Sequence, residues 1–387
     1  MPDRSTIYLD WNATTPPHRE VLAAMRQAAE HAWANPASVH GPGRRARAWL
    51  ERAREAVAAL VGLDARDVIL TSGGTEANNL AIAHAFPPGV PGALVVSRLE
   101  HPSVCRAAEA LAEQGIHVAW AEPGPSGRVS PEAVVDAVDR AARNAPVRLV
   151  VLQAVNHETG VLQPVGEVAA IVRGRGARLL VDAVQAVGRV PAAAWEGADL
   201  VTVAAHKLRG PKGIGALVTR PGVQVRPILR GGAQERGLRP GTQDPLAAAG
   251  FAVAAERALT TPSRYAELRE LRDRLEEELV RLGRAVGREP VQNGTAERAP
   301  HVSNLSWPGW RGDELCAALD LEGVAVSSGS ACTAGTAEPS PVLTAMVGPE
   351  RASSAVRVSL GEDTHLEEVM EALQRWSRVL ARGGPLS

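Results

Sequence analysis

The chain has 387 residues, of which 45% are hydrophobic, and its 42 basic and 43 acidic side chains give a formal net charge of −1. This length predicts two or three domains with ample apolar material for a core. The balanced charge excludes a general electrostatic field that would hold a polyanion, so we expect a small-molecule substrate and no nucleic-acid partner.

No stretch of the sequence reaches the roughly 18 uncharged apolar residues that a membrane-spanning helix needs. The start, MPDRSTIYLD, lacks the apolar run of a signal peptide. We therefore expect a cytoplasmic protein with no membrane segment.

Short apolar runs alternate with helical stretches from about residue 66 to residue 220. The runs are DVILTS, ALVVSRLE, IHVAW, VRLVVLQAV, ARLLVDAV, ADLVTVAA and GIGALVT, and segments such as CRAAEALAEQG and VGEVAAIVRGRG lie between them. This alternation predicts an α/β fold with a mostly parallel sheet that is covered on both faces. Ligands bind such sheets at the carboxyl ends of the strands, so polar residues that follow the runs are candidates for a site.

A polar helix at about residues 262–282 separates this region from a segment of different texture. The strand HVSNLSW, the helix GDELCAALDLEG, a loop of small residues, the strand AVRVSLG and a final amphipathic helix from about Thr364 are expected there. This order predicts a second, smaller α+β domain.

The segment TSGGTEANNLAIA follows the run DVIL and predicts a turn that opens a helix. Glycines at such a turn let the backbone approach an anion, and the N–H groups at the helix start donate to phosphate oxygens. Gly74 and Thr75 are therefore the candidate phosphate cradle. An isolated SGGTE is at least as often an ordinary capped turn.

Two further strands end in residues with catalytic side chains. His101 in SRLEHPSV is placed to stack on a cofactor ring and to move protons near neutral pH, and a solvated loop histidine is the alternative. Asn156 in LQAVNHETG can donate to a hydroxyl of such a ring, or it can bond its own backbone in a turn.

An acid and a lysine frame the next part of the chain. Asp182 ends the apolar run RLLVD, Gln185 follows three residues later, and Lys207 follows the next apolar run. The acid can keep a pyridine nitrogen protonated and the lysine amine can form a Schiff base, which together suit an enzyme that holds pyridoxal phosphate (PLP). The competing lysine, Lys212, lies in the turn GPKG and is expected at the surface.

The three cysteines are odd in number and widely spaced, which fits neither a disulfide framework nor a metal site, so we expect no bound metal. Cys105 and Cys316 lie in apolar helical segments and are expected to be packed. Cys332 lies in SSGSACTAGTAEPSP, a loop at about residues 327–340 with almost nothing to bury, and is the candidate nucleophile. Arg357 in AVRVSLG suits a substrate carboxylate, although an exposed strand arginine is the alternative.

Ten segments together resemble the cysteine desulfurases, the NifS/IscS branch of the class V aminotransferases, and appear in that family's order. They are YLDWNATTP, ANPASVH, TSGGTEANN, LEHPSV, VNHETG, VDAVQAVG, AHKLRGPKGIG, GGAQERGLRPGT, SSGSACTAG and AVRVSLG. The resemblance implies the type I fold of PLP-dependent transferases, with a large domain at residues 15–256. Residues 1–14 and 257–387 would form the small domain. The long loop around Cys332 is similar to that of the group I subtype.

The resemblance also implies roles for individual residues. Lys207 would hold PLP covalently, Asp182 would pair with the pyridinium nitrogen, and His101 would stack on the ring. Gln185 and Asn156 would contact the ring oxygen, and Gly74, Thr75 and His206 would contact the phosphate. Thr242 would contact the phosphate that is bound by the other subunit of a homodimer. Asn35 and Arg357 would bind the carboxylate of L-cysteine. Cys332 would take the sulfur as a persulfide for an acceptor protein such as an iron–sulfur scaffold, and alanine would leave.

The sequence departs from the family at Ala204, where a serine hydroxyl commonly binds the phosphate. Weaker retention of PLP is expected, with no change of reaction. A selenocysteine lyase or an aminotransferase of the same fold is the nearest alternative function, and Cys332 argues against the aminotransferase. A non-catalytic scaffold protein is the alternative outside the enzymes. Such a protein would have no use for the lysine, the acid and the cysteine together.

Overall fold

The computed structural model describes residues 6–329 and 338–382. Its strands are β1 (Ile7–Tyr8), β2 (Val68–Thr71), β3 (Ala93–Ser97), β4 (His117–Ala121), β5 (Val147–Gln153), β6 (Arg178–Asp182), β7 (Leu200–Ala204), β8 (Gly215–Thr219), β9 (Val291–Gln292), β10 (Val302–Ser306), β11 (Val324–Ala325) and β12 (Ala355–Ser359). Its α-helices are α1 (Arg19–His31), α2 (Gly41–Val61), α3 (Gly74–Ala85), α4 (Pro102–Glu113), α5 (Pro131–Ala142), α6 (Val165–Gly174), α7 (Pro245–Ala258), α8 (Thr261–Ala285), α9 (Gly312–Leu321), α10 (Pro341–Val347), α11 (Pro349–Ser353) and α12 (Leu366–Ala381).

The central sheet has seven strands in the order β2-β8-β7-β6-β5-β3-β4. Strand β8 is antiparallel to both of its neighbours, and the other six strands run in one direction. The predicted mostly parallel α/β sheet is therefore confirmed. The carboxyl ends of those six strands lie at one edge of the sheet.

The apolar runs form strands because both faces of the sheet are covered. Side chains alternate between the faces of a strand. In β3, Ala93 and Val95 enter one apolar cluster, whereas Leu94 and Val96 enter another on the opposite face. A strand that is buried on both faces has no polar position, which explains the continuous apolar runs in the sequence.

A separate apolar core lies among α8, α9, α12 and the three-stranded antiparallel sheet β12-β10-β9. Two of its three tryptophans, Trp307 and Trp376, have ring centroids 5.5 Å apart. Ile7 and Leu9 from the start of the chain join this core, and β1 pairs with β11. We propose that this core defines the smaller domain predicted at residues 1–14 and 257–387.

The elements predicted for the second half of the chain are found close to their expected bounds. The polar helix expected at 262–282 is α8, with Pro262 in its first turn, where a missing N–H is harmless. The final helix begins at Leu366 rather than near Thr364. Within the described residues, no helix combines the length and the apolar character that a bilayer crossing requires.

Candidate active site

The predicted site residues follow four strands, β2, β3, β6 and β7, at the carboxyl edge of the sheet. Gly74 opens α3 after β2, and His101 precedes α4 after β3. Asp182 ends β6, and Lys207 ends a short 3₁₀ turn that follows β7. A cavity of about 200 Å³ lies between them. Its lining consists of Asn12, Ala13, Gly74, Thr75, Asn78, His101, Ser103, Gln153, Val155, His157, Asp182, Val184, Gln185, Ala204, His206, Lys207 and Arg357.

The carboxylate of Asp182 is buried and held by a donor at each oxygen. The amide Nδ2 of Asn78 donates to Oδ2 over 2.8 Å, and the backbone N–H of Val184 donates to Oδ1 over 3.0 Å. Two charge-assisted hydrogen bonds fix the orientation of the acid at the strand end. The carboxylate is thus positioned to anchor a cationic partner inside the cavity.

The amine of Lys207 lies in the same cavity. Its Nζ donates to the carbonyl oxygen of Asn12 and, over 2.8 Å, to that of Ala13. These carbonyls belong to an N-terminal segment that also contacts the turn containing Lys207. Thr15 in this segment donates from its backbone N–H and from its hydroxyl to the carbonyl of His206. Lys212 is exposed, as predicted from its turn sequence.

At the start of α3, the glycine at position 74 leaves a space that a side chain there would fill. A Cβ atom on Gly74 would lie 3.0 Å from Cγ2 of Val184 and 3.7 Å from Cβ of Ala204. The first N–H groups of a helix have no partner within the helix, so they are available to an anion. Gly74 and Thr75 both line the cavity, and Ala204 supplies an apolar wall beside them.

Three histidines line the cavity, and each is driven towards its neutral form by burial. Burial and, to a smaller extent, the nearby charges of Lys207 and Arg189 lower the pKa of His206 to about 3. Burial also lowers the pKa of His101 and takes that of His157 well below the usual value. The rings of His101 and His157 meet edge to face with centroids 5.3 Å apart. At neutral pH the charges in the cavity therefore come from other side chains.

Asn12 joins the site to a fully buried arginine. Gln185 donates from Nε2 to the carbonyl of Asn12 over 2.9 Å, and Arg189 donates from Nη1 to Oδ1 of Asn12 over 2.9 Å and to Oε1 of Gln185. His301 also contacts Oδ1 of Asn12, at 3.0 Å. Gln185 lines the cavity, but both polar atoms of its side chain already form hydrogen bonds within the protein.

Three other predicted site residues are placed differently. Asn156 is buried, and its Oδ1 accepts from the backbone N–H groups of Glu158 and Thr159 over 3.0 and 2.8 Å. This is the turn geometry that the sequence left open as the alternative. Asn35 and Thr242 are exposed, and among the described residues neither lines the cavity. Their roles stay predictions.

Arg357 is buried in β12 and lines the cavity, so the alternative of an exposed strand arginine is wrong. Its Nη2 donates to Oδ1 of Asp10 over 2.6 Å, and its Nη1 donates to the carbonyl of His157 over 3.0 Å. Its Nε is buried without a hydrogen-bond partner among the described residues. The guanidinium thus lines the cavity and keeps one N–H group without a protein acceptor among the described residues.

The predicted nucleophile Cys332 lies outside the described residues. The other two cysteines behave as expected for packed thiols, because burial raises the pKa of Cys105 and that of Cys316 to about 12. Neither thiol has a useful thiolate fraction near neutral pH. Within residues 6–329 and 338–382, no cluster of three or more histidine, cysteine or acidic side chains is placed to hold a metal ion.

The sequence analysis missed Asn78 and Ser103. Asn78 lies one helical turn after Gly74 and Thr75, so helical spacing could have placed it on the side that faces the cavity. Ser103 lies two residues after His101, at a helix start where the direction of the side chain depends on the cap. Asn12 gave no signal of this kind, because its contacts are with residues more than 100 positions away.

Comparison with known proteins identifies the family. Residues 7–372 match the model of the family described as Aminotransferase class-V. A cysteine desulfurase IscS of Dictyoglomus turgidum is 35% identical over 381 residues, which cover 97% of this chain and 95% of the relative. A solved NifS-like protein superposes with a TM-score of 0.88 at 32% identity, over 97% of this chain and all of the other. A structure of SspA in complex with cysteine superposes with a TM-score of 0.77 at 28% identity, over 92% and 99% of the two chains.

The chain therefore belongs to the class V aminotransferases and, within them, to the cysteine desulfurases of the NifS/IscS type. The predicted resemblance is confirmed. Members of this family depend on PLP, and the residues present fit that group. The lysine, the ring anchor and the phosphate cradle predicted for it line a single cavity, and the cradle leaves the space that a Cβ on Gly74 would fill.

Thiol alkylation tests the burial of the two described cysteines. At pH 8 we expect Cys105 and Cys316 in the native protein to react with iodoacetamide at least about a hundredfold more slowly than in the urea-unfolded chain, because their raised pKa values suppress the thiolate. Peptide mass spectrometry at timed intervals measures each site separately. Equal rates in the native and unfolded protein would contradict this account of the two thiols.

Proposed function

We propose that the protein is a homodimeric PLP-dependent cysteine desulfurase that converts L-cysteine to L-alanine and passes the sulfur from Cys332 to an acceptor protein. The observation that supports this most is the convergence of Lys207, Asp182 and Arg357 on one cavity. These residues come from three separate strands or strand ends. Together they provide an amine that can hold the cofactor, an anion for its ring nitrogen and a guanidinium for the substrate carboxylate. PLP-dependent chemistry on an amino acid requires these three groups.

PLP supplies an electron sink for the α-carbon of an amino acid. Lys207 would hold it through the amine, which must first leave the carbonyls of Asn12 and Ala13. Asp182 would bind the ring nitrogen, and its two fixed hydrogen bonds keep the carboxylate from turning away. Gly74, Thr75 and His206 would contact the phosphate, and His101 would pack against the ring.

The substrate carboxylate would bind at Arg357. A buried guanidinium at the cavity wall forms stronger hydrogen bonds than an exposed one, because water does not compete with the ligand. Asp10 and the carbonyl of His157 each accept from one terminal nitrogen of Arg357, and these two bonds fix the plane of the guanidinium at the cavity wall. Asn35 is the second predicted contact to the carboxylate.

Cys332 would receive one sulfur atom from the substrate. The carbon–sulfur bond of L-cysteine breaks, a sulfur–sulfur bond forms on Cys332, and the substrate carbon gains hydrogen to become the methyl group of alanine. Atoms and electrons balance without an external oxidant or reductant. The persulfide then passes to a protein of the iron–sulfur scaffold kind. A cytoplasmic location and the reach of Thr242 into the site of a second subunit belong to the same proposal.

Trapping of the cofactor tests the role of Lys207. The chain contains two lysines, Lys207 and Lys212, so a borohydride-reduced adduct has only two possible lysine positions. We expect mass spectrometry to find the adduct on Lys207 in the natural protein and to find none in Lys207→Ala. Lys212→Ala is the matched control and retains the adduct, since Lys212 is exposed. An adduct on Lys212 in the natural protein would refute the assignment.

Substitution of each cysteine tests the sulfur acceptor. We expect Cys332→Ala to keep the cofactor absorbance at about 400 nm and to lose alanine and sulfide production, because the chromophore needs the lysine and not the thiol. Cys105→Ala and Cys316→Ala are the controls and stay active, since burial keeps both thiols protonated. Persulfide formation by the Cys332 variant at the natural rate would eliminate this proposal.

Restoring the hydroxyl at position 204 tests the phosphate cradle. Ala204→Ser adds a donor beside Gly74, and one charge-assisted hydrogen bond is expected to lower the dissociation constant for PLP by about ten- to a hundredfold. Spectrophotometric titration of the cofactor-free protein measures this constant. Ala121→Ser is the matched control, because Ala121 is also buried and ends β4, the edge strand of the same sheet, without lining the cavity. A constant that is unchanged, or lowered equally in both variants, would disprove the placement of the phosphate.

A further inference from the structure

A chain of buried hydrogen bonds links the ring anchor to the histidine that faces it. The amide Nδ2 of Asn78 contacts Oδ2 of Asp182 at 2.8 Å and Oγ of Ser103 at 3.0 Å. Oγ of Ser103 in turn contacts Nδ1 of His101 at 2.8 Å. At most 9% of Asn78, Ser103 or Asp182 is exposed, so this chain lies away from bulk water.

The direction of each hydrogen bond follows from the groups that can only donate. His101 caps α4, and the backbone N–H of Ser103 donates to its Nδ1 over 3.1 Å. A backbone N–H cannot accept, so Nδ1 presents its lone pair. In a neutral imidazole the single proton is then on Nε2. The cap of the helix thus selects one of the two tautomers of His101.

The serine hydroxyl enforces the same choice. A carboxylate has no hydrogen to donate, so Asn78 must turn its NH₂ group towards Asp182. The second hydrogen of that NH₂ group points to Oγ of Ser103, which accepts it and directs its own hydrogen to Nδ1 of His101. Two donors therefore face Nδ1, and protonation there requires the hydroxyl to turn away.

We propose, on the basis of the function proposed above, that Ser103 and Asn78 are positioning residues that hold His101 as the neutral Nε2–H tautomer. In this state the Nε2–H group of His101 is a hydrogen-bond donor, and the lone pair of the ring is on Nδ1. The amide of Asn78 does not release protons, so the chain fixes geometry without letting Asp182 and His101 exchange one.

Nitrogen-15 spectra of the full-length protein labelled at its ten histidines test the tautomer directly. The resonances of His101 are assigned by their loss in His101→Gln. We expect an unprotonated Nδ1 and a protonated Nε2 at pH 7. A protonated Nδ1 in the natural protein would overturn the proposal, whatever the activity of the enzyme.

The titration of His101 tests the hydroxyl. We expect Ser103→Ala to raise the pH at which His101 protonates by about half a pH unit to one pH unit, because one net hydrogen bond to the neutral form is lost. Asp182, Lys207, His157 and His206 also face His101, and all four are kept in the variant. Ser103→Thr retains a hydroxyl and is expected to titrate like the natural protein.

Ser130→Ala is the matched control, because Ser130 caps α5 through its own Oγ and lies outside the cavity lining. An unchanged titration in Ser103→Ala, or the same shift in Ser103→Thr or Ser130→Ala, would show that the hydroxyl does not act on His101. In Ser103→Ala, the pH at which kcat/KM for alanine production falls on the acid side should shift in parallel with the titration of His101. If the spectra agree and no alanine forms, the proposed function fails while the tautomer assignment stands.

Discussion

The buried guanidinium of Arg189 imposes the constraint on which the arrangement of the site depends. Only 1% of it is exposed, and each hydrogen bond from such a charged group to a neutral acceptor contributes about 1.5–3 kcal/mol. Its partners are acceptors on Asn12 and Gln185 and the carbonyl oxygen of Lys207, at 3.0 Å. The N-terminal segment, the residues after β6 and the lysine turn must therefore lie together for the protein to fold. The geometry of the cavity follows from that requirement.

The same burial decides which groups are charged in the cavity. Desolvation lowers the pKa of His101, His157 and His206, so all three imidazoles are neutral at pH 7. Asp182 and Arg357 are fixed by hydrogen bonds on two sides of the cavity. A zwitterionic amino acid and an anionic cofactor would thus meet a site in which charges have defined places and histidines act through hydrogen bonds.

The sequence predicted the fold and much of the candidate site because both depend on local signals. Continuous apolar runs predict strands that are buried on both faces, and a polar residue at the end of such a run marks the edge of the sheet where ligands bind. Asp182, His101 and Lys207 lie at this edge, where this pattern predicts them, and their roles stay predictions. Asn156 shows the limit of such reasoning, because a turn asparagine has the same local pattern whether it bonds a ligand or its own backbone.

By itself, the sequence determined the order of the strands along the chain, the residues at their ends and the membership of a family, since each is encoded in contiguous residues. Only the tertiary structure decided that Arg357 is buried, that Asn12 connects the lysine turn to Arg189, and that Asn78 and Ser103 lie between Asp182 and His101. These contacts of Asn12 and Asn78 join residues 25 to 195 positions apart, and such pairs meet only through packing. The direction of a hydrogen bond, and with it the tautomer of a histidine, exists only once both partners are in place.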